Sequence, residues 1–258
     1  MKQQHTIQID GAKCIGCGLC LQDCPAGNLT MAGGKASVIA QGCIQCGHCV
    51  AVCPQGAVSM TGFSAPPLPL EPPVTLDPQQ LLKALGARRS IRQFTAQPVD
   101  AGVIHQIIEA GRLTPTAKNA QDVSYILLQK DMARYEMLAV RLFRRLLPFV
   151  RLVNATARRT AIDEHFFFKK APTALLIVAR DPINGALAAS NMALMAESCG
   201  LGVLYSGFFT VAANHSPALR RALGLARGDT VVTTLVLGHP AVKYHRTAPK
   251  EDAALRIL

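Results

Sequence analysis

Apolar positions along the chain change their rhythm near residue 62. Before it they come as short alternating bursts. Thr6-Ile7-Gln8-Ile9 has the two-residue period of a half-buried strand, Ala36 to Ala40 reads as a second strand, and Gly33-Gly34 supplies a turn ahead of it. Beyond residue 76 the elements lengthen. Asp77-Pro78 places an N-cap and a first-turn proline at the head of a helix running to about Ala87. Asp100 caps another, in which Val103, Ile104, Ile107, Ile108 and Gly111 recur at helical spacing. Val123 to Gln129, Thr173 to Ala179, Val203 to Phe209 and Thr230 to Leu237 are apolar or β-rich runs of strand length. Between Ala186 and Ser198 an alanine- and methionine-rich helix closes at Gly200, its Met192 and Met195 assigned to the core and Cys199 to a buried thiol. The mixture predicts an α+β chain.

Two stretches interrupt these patterns. Residues 64–73 hold five prolines in ten, which favours an extended, stiff tether. The expected organisation is therefore a small domain over 1–62, a linker over 63–76 and a larger domain over 77–258. Within the larger one, Arg134 to Lys170 carries nine Lys and Arg against Glu136, Asp163 and Glu164, with Leu138, Leu142, Phe143, Leu146, Leu147, Phe149 and Val150 interleaved. The pattern predicts a pair of amphipathic helices with basic solvated faces; a helix lying on a membrane surface has the same signature. Phe166-Phe167-Phe168 is expected at a subunit interface or over a pocket.

The small domain carries the chemistry most specific in its spacing. Cys14-x2-Cys17-x2-Cys20-x3-Cys24-Pro25 is repeated 29 residues later as Cys43-x2-Cys46-x2-Cys49-x3-Cys53-Pro54. Three closely spaced thiolates reach three irons of one cubane, and the fourth cysteine, before proline, crosses to the other cubane. That assigns Cys14, Cys17, Cys20 and Cys53 to one [4Fe–4S] cluster, and Cys24, Cys43, Cys46 and Cys49 to a second. Zinc would take paired C-x2-C knuckles instead, and disulfides would require an oxidising compartment. Cys14 to Met31 and Cys43 to Met60 share nine identical residues of eighteen, and residues 5 to 62 resemble a bacterial two-cluster ferredoxin. His48, inside the second loop, is read as a spectator because four thiolates already serve each cluster.

Composition narrows the partners. The formal charge is +11, of which residues 1–60 contribute only +1. Two oxidised cubanes bring the total to roughly +7, since a bound centre's own charge belongs in the sum. No finger, helix-turn-helix or aromatic platform accompanies the basic excess, so an anionic ligand or acidic redox partner is expected rather than nucleic acid. No apolar run reaches membrane-spanning length, and eight cluster cysteines imply a reducing, cytoplasmic setting.

In the larger domain, Arg88-Arg89-Ser90-x-Arg92 gathers guanidinium forks and a hydroxyl suited to an oxyanion. Pro115-Thr116-Ala117-x-Asn119-x-Gln121 follows, then the strand from Thr173, Gly200-Leu201-Gly202, Tyr205-Ser206-Gly207 and Leu237-Gly238-His239-Pro240. In this order the motifs resemble the FMN-dependent nitroreductase family over residues 77 to 250. The resemblance implies that Arg88, Arg89, Ser90 and Arg92 hold the FMN phosphate, with Arg246 joining from the C-terminal side. It implies further that Pro115, Thr116, Ala117 and Asn119 line the ring and ribityl, that Ser206 and Gly207 sit by the reactive N5 edge as catalytic residues, and that Gly238 lets the backbone approach the cofactor. A homodimer with FMN at the interface is implied as well, with the basic 134–170 segment as a lid over the flavin. The family often has Asn-x-Gln-Pro-Trp where this chain has Asn119-Ala120-Gln121-Asp122-Val123.

Together the two halves predict an iron–sulfur flavoprotein oxidoreductase. Reduced ferredoxin or flavodoxin would load the clusters, and FMN would pass electrons to a small acceptor such as a nitro compound, quinone or activated double bond. No Gly-x-Gly-x-x-Gly follows a strand, so no Rossmann dinucleotide site is expected. A non-enzymatic carrier or redox sensor that docks a protein partner, and an NAD(P)H-driven nitroreductase, stand as the alternatives.

Overall fold

A computed structural model describes residues 5–39, 42–63, 66–70 and 72–258. The chain divides into two compact units, one formed by Met1–Thr75 with Pro115–Asp122, the other by Leu76–Thr114 with Val123–Leu258.

In the first unit the 29-residue repeat becomes a structural one. Its elements are β1 (Ile7–Ile9), α1 (Leu19–Gln22), β2 (Leu29–Ala32), β3 (Lys35–Val38), α2 (His48–Ala51) and β4 (Val58–Met60). Strand β1 pairs antiparallel with β4, and β2 with β3, so each pair takes one strand from each half. This exchange interleaves the halves around Ile7, Leu29, Val58, Cys20 and Cys49. The expected strand at Ala36 ends at Val38, and Ala40 lies outside the described residues, as do residues 64, 65 and 71 of the proline-rich stretch.

The second unit opens with α3 (Pro78–Ala87), where Asp77 accepts from the Gln80 N–H at 2.7 Å, and α4 (Ala101–Arg112), where Asp100 accepts from Gly102 and Val103. There follow β5 (Ser124–Leu128), α5 (Met132–Val153), α6 (Ala155–Arg159), β6 (Thr173–Ala179), α7 (Pro182–Ser198), β7 (Gly202–Tyr205), α8 (Gly207–His215), α9 (Pro217–Ala222) and β8 (Thr230–Gly238). The sheet order is β5-β6-β8-β7, with antiparallel pairing throughout. A parallel bridge from Ser90 to Val203 makes it mixed at the β7 edge.

All seven residues of β6 are buried because helices cover both faces of the sheet. Ala174, Leu176 and Val178 point into a core shared with α5, α8 and α9, whereas Leu175 and Ile177 meet α4 and α7 on the opposite side. The small residues of α7, Ala188, Ala189, Ala193 and Ala196, let it lie close to α4.

Three expectations change. The run from Val203 is a strand only to Tyr205; Ser206 ends it, and Phe208 and Phe209 belong to α8, where Phe209 is fully buried against Phe168. The basic segment does form two helices, one of 22 residues with Pro148 inside it and one of five. Phe167 and Phe168 are 1% exposed in the unit's own core rather than covering a pocket or an interface. Cys199 is half-buried, its thiol 3.4 Å from Gln106 Oε1.

Glu136 fixes this aromatic turn. Its carboxylate is 3% exposed and accepts from the N–H groups of Phe167 and Phe168 at 2.9 and 2.7 Å. Burial pushes its pKa above the usual carboxylate range, against the pull of the two N–H donors and His165. The folded state therefore holds this proton more tightly than the unfolded chain. The corresponding stability is complete below the ordinary carboxylate range and is lost as pH rises through the raised value. Glu136→Gln should flatten that part of the stability-versus-pH curve in denaturant melts. Glu136→Ala should cost more at every pH, because each stranded buried N–H is worth about 1–3 kcal/mol.

Candidate functional site

The eight repeat cysteines fall into two sets in space. Cys14, Cys17, Cys20 and Cys53 line one pocket together with apolar Ile15, Ala36, Ala57 and Val58. Burial raises the pKa of Cys20, and its thiol feels Cys53, Cys14 and Cys17. Cys49 is pushed up to about 11 by burial and by Cys46, Cys24 and Cys43. Each set thus draws three cysteines from one half and one from the other. Gly18 and Gly47, at φ 76° and 78°, give each loop the left-handed turn into its short helix.

Backbone N–H groups reach four of the sulfurs, two of them at equivalent places in the repeat. Asn28 donates to Cys24 Sγ and Ala57 to Cys53 Sγ, both at 3.3 Å; Ala36 donates to Cys14 Sγ at 3.5 Å and Gln45 to Cys43 Sγ at 3.4 Å. Such donors favour the more negative, reduced form of a thiolate-held centre. Among the described residues no three His, Cys, Asp or Glu side chains converge tightly enough for a single metal ion. Four thiols spread round a pocket suit a cubane, in which each binds a different iron.

In the second unit the candidate oxyanion residues flank β7. Ile91 donates its N–H to the Val203 carbonyl at 3.0 Å, carrying Ser90 alongside the strand. Arg89, Ser90 and Arg92 are exposed, whereas Arg88 is half-buried and its Nε pairs with Glu197 Oε2 at 3.0 Å. Burial raises the Glu197 carboxyl pKa while Arg88 opposes the rise. Arg92 Nη1 donates to the Ser90 carbonyl at 3.4 Å, and the Arg89 guanidinium lies 6.0 Å from the Tyr244 ring centroid. Arg246 is exposed in the C-terminal segment.

Strand β7 leads directly into Ser206 and Gly207. The Ser206 hydroxyl is buried and donates to the Phe167 carbonyl at 2.9 Å, while Gly207 is exposed in the first turn of α8. Gly238 is opposite Gly202 across the β7–β8 pair. A Cβ on Gly238 would come within 2.8 Å of Pro172 and 3.0 Å of Phe94, so close packing inside the unit already accounts for this glycine.

Pro115, Thr116, Ala117 and Asn119 group with the first unit instead. Thr116 Oγ1 accepts from the Gln121 N–H at 2.9 Å. Asn119 Nδ2 donates to the carbonyls of Gln45 at 2.6 Å and Ile44 at 3.3 Å, and Gln121 Nε2 donates to Asn119 Oδ1 at 3.2 Å. Glu197, Tyr244 and Gln45 were not singled out from the chain order. Gln45 had a visible signal, since it replaces the repeat's Gly16.

Comparison with known proteins also finds two regions, although the second includes the Pro115–Asp122 loop that groups with the first unit. Residues 6–54 match the 4Fe-4S dicluster domain, and residues 85–239 match the Nitroreductase family. An FMN reductase [NAD(P)H] of Bacillus subtilis is 29% identical over 168 residues, 63% of this chain and 66% of that protein. The chain thus spans just under two thirds of that relative's length. A putative NADH dehydrogenase/NAD(P)H nitroreductase of Archaeoglobus fulgidus is 25% identical over 63% of this chain and 86% of its own. Among solved structures, a nitroreductase with bound FMN from Bacteroides fragilis superposes with a TM-score of 0.57 at 20% identity, covering 69% of this chain and 98% of that one.

Gly202 is the tightest point in the positioning of Ser90. A Cβ there would meet Ile91 Cγ1 at 2.7 Å and its Cβ and Cγ2 at 2.9 Å. Gly202→Ala should therefore displace Ile91 and destabilise the fold by about 1–3 kcal/mol. A thermal melt should fall by roughly 2–4 °C for each kcal/mol.

Proposed function

The chain belongs to the nitroreductase family and carries a 4Fe-4S ferredoxin domain ahead of the family region, and from that premise we propose an oxidoreductase that takes electrons from a low-potential donor onto two [4Fe–4S] clusters and delivers them through FMN to a small acceptor. The observation that carries this reading is the gathering of the eight cysteines into two four-thiol sets within one polypeptide that also holds the family region. Reduced ferredoxin or flavodoxin is the proposed donor. A nitro compound, quinone or activated double bond is the proposed acceptor. The working unit would be a homodimer in the cytoplasm, with domain limits at 1–62 and 77–258 joined by 63–76.

The proposed cluster ligands are Cys14, Cys17, Cys20 and Cys53 on one side, and Cys24, Cys43, Cys46 and Cys49 on the other. FMN, when bound, supplies a ring that takes electrons singly and releases them singly or as a hydride. For its phosphate, Arg89, Arg92, Ser90 and Arg246 offer charge-assisted and neutral donors. Arg88 shares its guanidinium with Glu197, so it is assigned to fixing the loop as much as to binding. Pro115, Thr116, Ala117 and Asn119 would line the ring. The Ser206 hydroxyl is engaged by the Phe167 carbonyl and its N–H by the Thr234 carbonyl at 2.8 Å, so Ser206 would fix the turn while Gly207 offers the ring a backbone N–H at the head of α8, where first-turn N–H groups point outward. Gly238 would contribute by close packing that keeps β7 and β8 in place.

NAD(P)H as a direct donor is favoured by the Bacillus subtilis relative, whose name states that use. Cys17→Ala and Cys46→Ala separate the two. If electrons pass through the cysteines, turnover driven by reduced ferredoxin should fall by roughly 10- to 100-fold or more in either variant, while flavin content stays at the level of the parent. Undiminished turnover in both, with flavin bleached by NADPH alone, would favour the direct route. Arg89→Ala and Arg92→Ala should each weaken FMN binding by about 1.5–3 kcal/mol, the worth of a charged hydrogen bond, measured by equilibrium titration of apoprotein.

A further inference from the structure

The two cysteine loops share the pattern Cys-Ile-x-Cys-Gly-x-Cys but not the same surroundings. In the first loop Ile15 is 64% exposed and Cys17 is exposed while Cys14 is half-buried; in the second, Ile44 and Cys46 are half-buried and Cys43 is exposed. The difference coincides with the place where the repeat is broken. Gly16 has φ 70°, and a Cβ there would collide with the Gly34 carbonyl. Its counterpart Gln45 keeps the left-handed backbone at φ 57° despite its side chain.

Three contacts hold Gln45 in that conformation. Its N–H donates to Cys43 Sγ, its Nε2 donates to the His5 carbonyl at 3.1 Å, and its carbonyl accepts from Asn119. Asn119 belongs to a loop that is itself strained: Lys118, Asn119 and Gln121 all have φ near 50°. Left-handed non-glycine residues clustered in this way persist only where surrounding contacts hold them, and such clusters mark functional segments. Here the contacts run from Gln121 to Asn119 to the backbone of the second cysteine loop.

We infer that Asn119 is a positioning residue that makes the two cysteine sets inequivalent, clamping the Cys43–Cys49 loop to the Pro115–Asp122 loop so that electrons enter at the Cys14 set and leave from the Cys24/Cys43/Cys46/Cys49 set. The inference rests on the proposed function, which assigns Pro115 to Asn119 to the flavin. With the groups bound, the Cys14, Cys17, Cys20 and Cys53 thiols would hold the centre that takes single electrons from the external donor, and the Cys24, Cys43, Cys46 and Cys49 thiols the centre that hands them on, two electrons and one proton from water balancing the reduction of the flavin.

The test uses the full-length protein with its clusters and flavin in place. Asn119→Asp keeps size and left-handed tolerance but replaces the donating amide with a carboxylate facing two carbonyls. An EPR-monitored redox titration should show one [4Fe–4S] signal shifted in midpoint and the other unmoved. Cys17→Ser and Cys46→Ser, each perturbing one signal, identify which is which. The shifted signal should be the one that Cys46→Ser perturbs, and electron delivery from clusters to flavin should slow roughly 10- to 100-fold, as for other supporting contacts to metal ligands. Gln121→Ala, which only frees the amide to turn, should shift the same signal by less, and it serves as the test should Asn119→Asp lose iron. A shift confined to the Cys17-marked signal, or no shift in either variant with iron content intact, overturns the inference while leaving the proposed function standing. Absence of two iron–sulfur signals from the parent protein overturns both.

Discussion

The first unit depends on one exchange: β1 pairs with β4 and β2 with β3. Without it each half of the repeat would hold three close cysteines and a fourth pointing away. With it, Cys53 arrives beside Cys14, Cys17 and Cys20, and Cys24 beside Cys43, Cys46 and Cys49. Burial, and then repulsion from Cys46, Cys24 and Cys43, is why Cys49 as a free thiol is pushed so far up. A unit of this size has a small apolar core, and bound metal supplies folding free energy that such a core lacks.

The second unit solves a different problem. Its central strands are covered on both faces, so β6 is apolar from Ala174 to Ala179, and the exposed polar groups lie at the β7 edge. There Ser90 and Ile91 lie alongside Val203, and the strand runs on into Ser206 and the head of α8. A rigid core thus presents exposed arginines and backbone donors along one margin. Among the described residues no helix is long and apolar enough to cross a membrane.

Much of this was legible from the chain because local chemistry determined it. Asp77 and Asp100 cap the helices their positions announce, β6 reads as a strand because six consecutive apolar residues follow Thr173, and the cysteine spacing implied the crossed sets. Where tertiary context decided, local reading stopped short. Nothing near Ser206 says that the apolar run turns helical there, since Phe208 and Phe209 suit either state until Phe168 packs against the second. The Phe166–Phe168 stretch reads as an interface or a pocket cover because its buried anchor, Glu136, lies some thirty positions earlier. Asn119 was assigned to a cofactor on pattern alone, and its bonds to Ile44 and Gln45 depend on a fold that brings residues more than seventy apart together.

The central claim is that two thiolate-held centres and one flavin share this polypeptide as a single electron-carrying system. The most direct measurement is an anaerobic reductive titration of the purified protein, counting electrons taken up per chain against measured iron, sulfide and flavin. The account predicts uptake of roughly four electrons per chain, one for each cubane and two for the flavin. Uptake of about two electrons by a protein lacking iron and sulfide, or of about two by a protein lacking flavin, would contradict it.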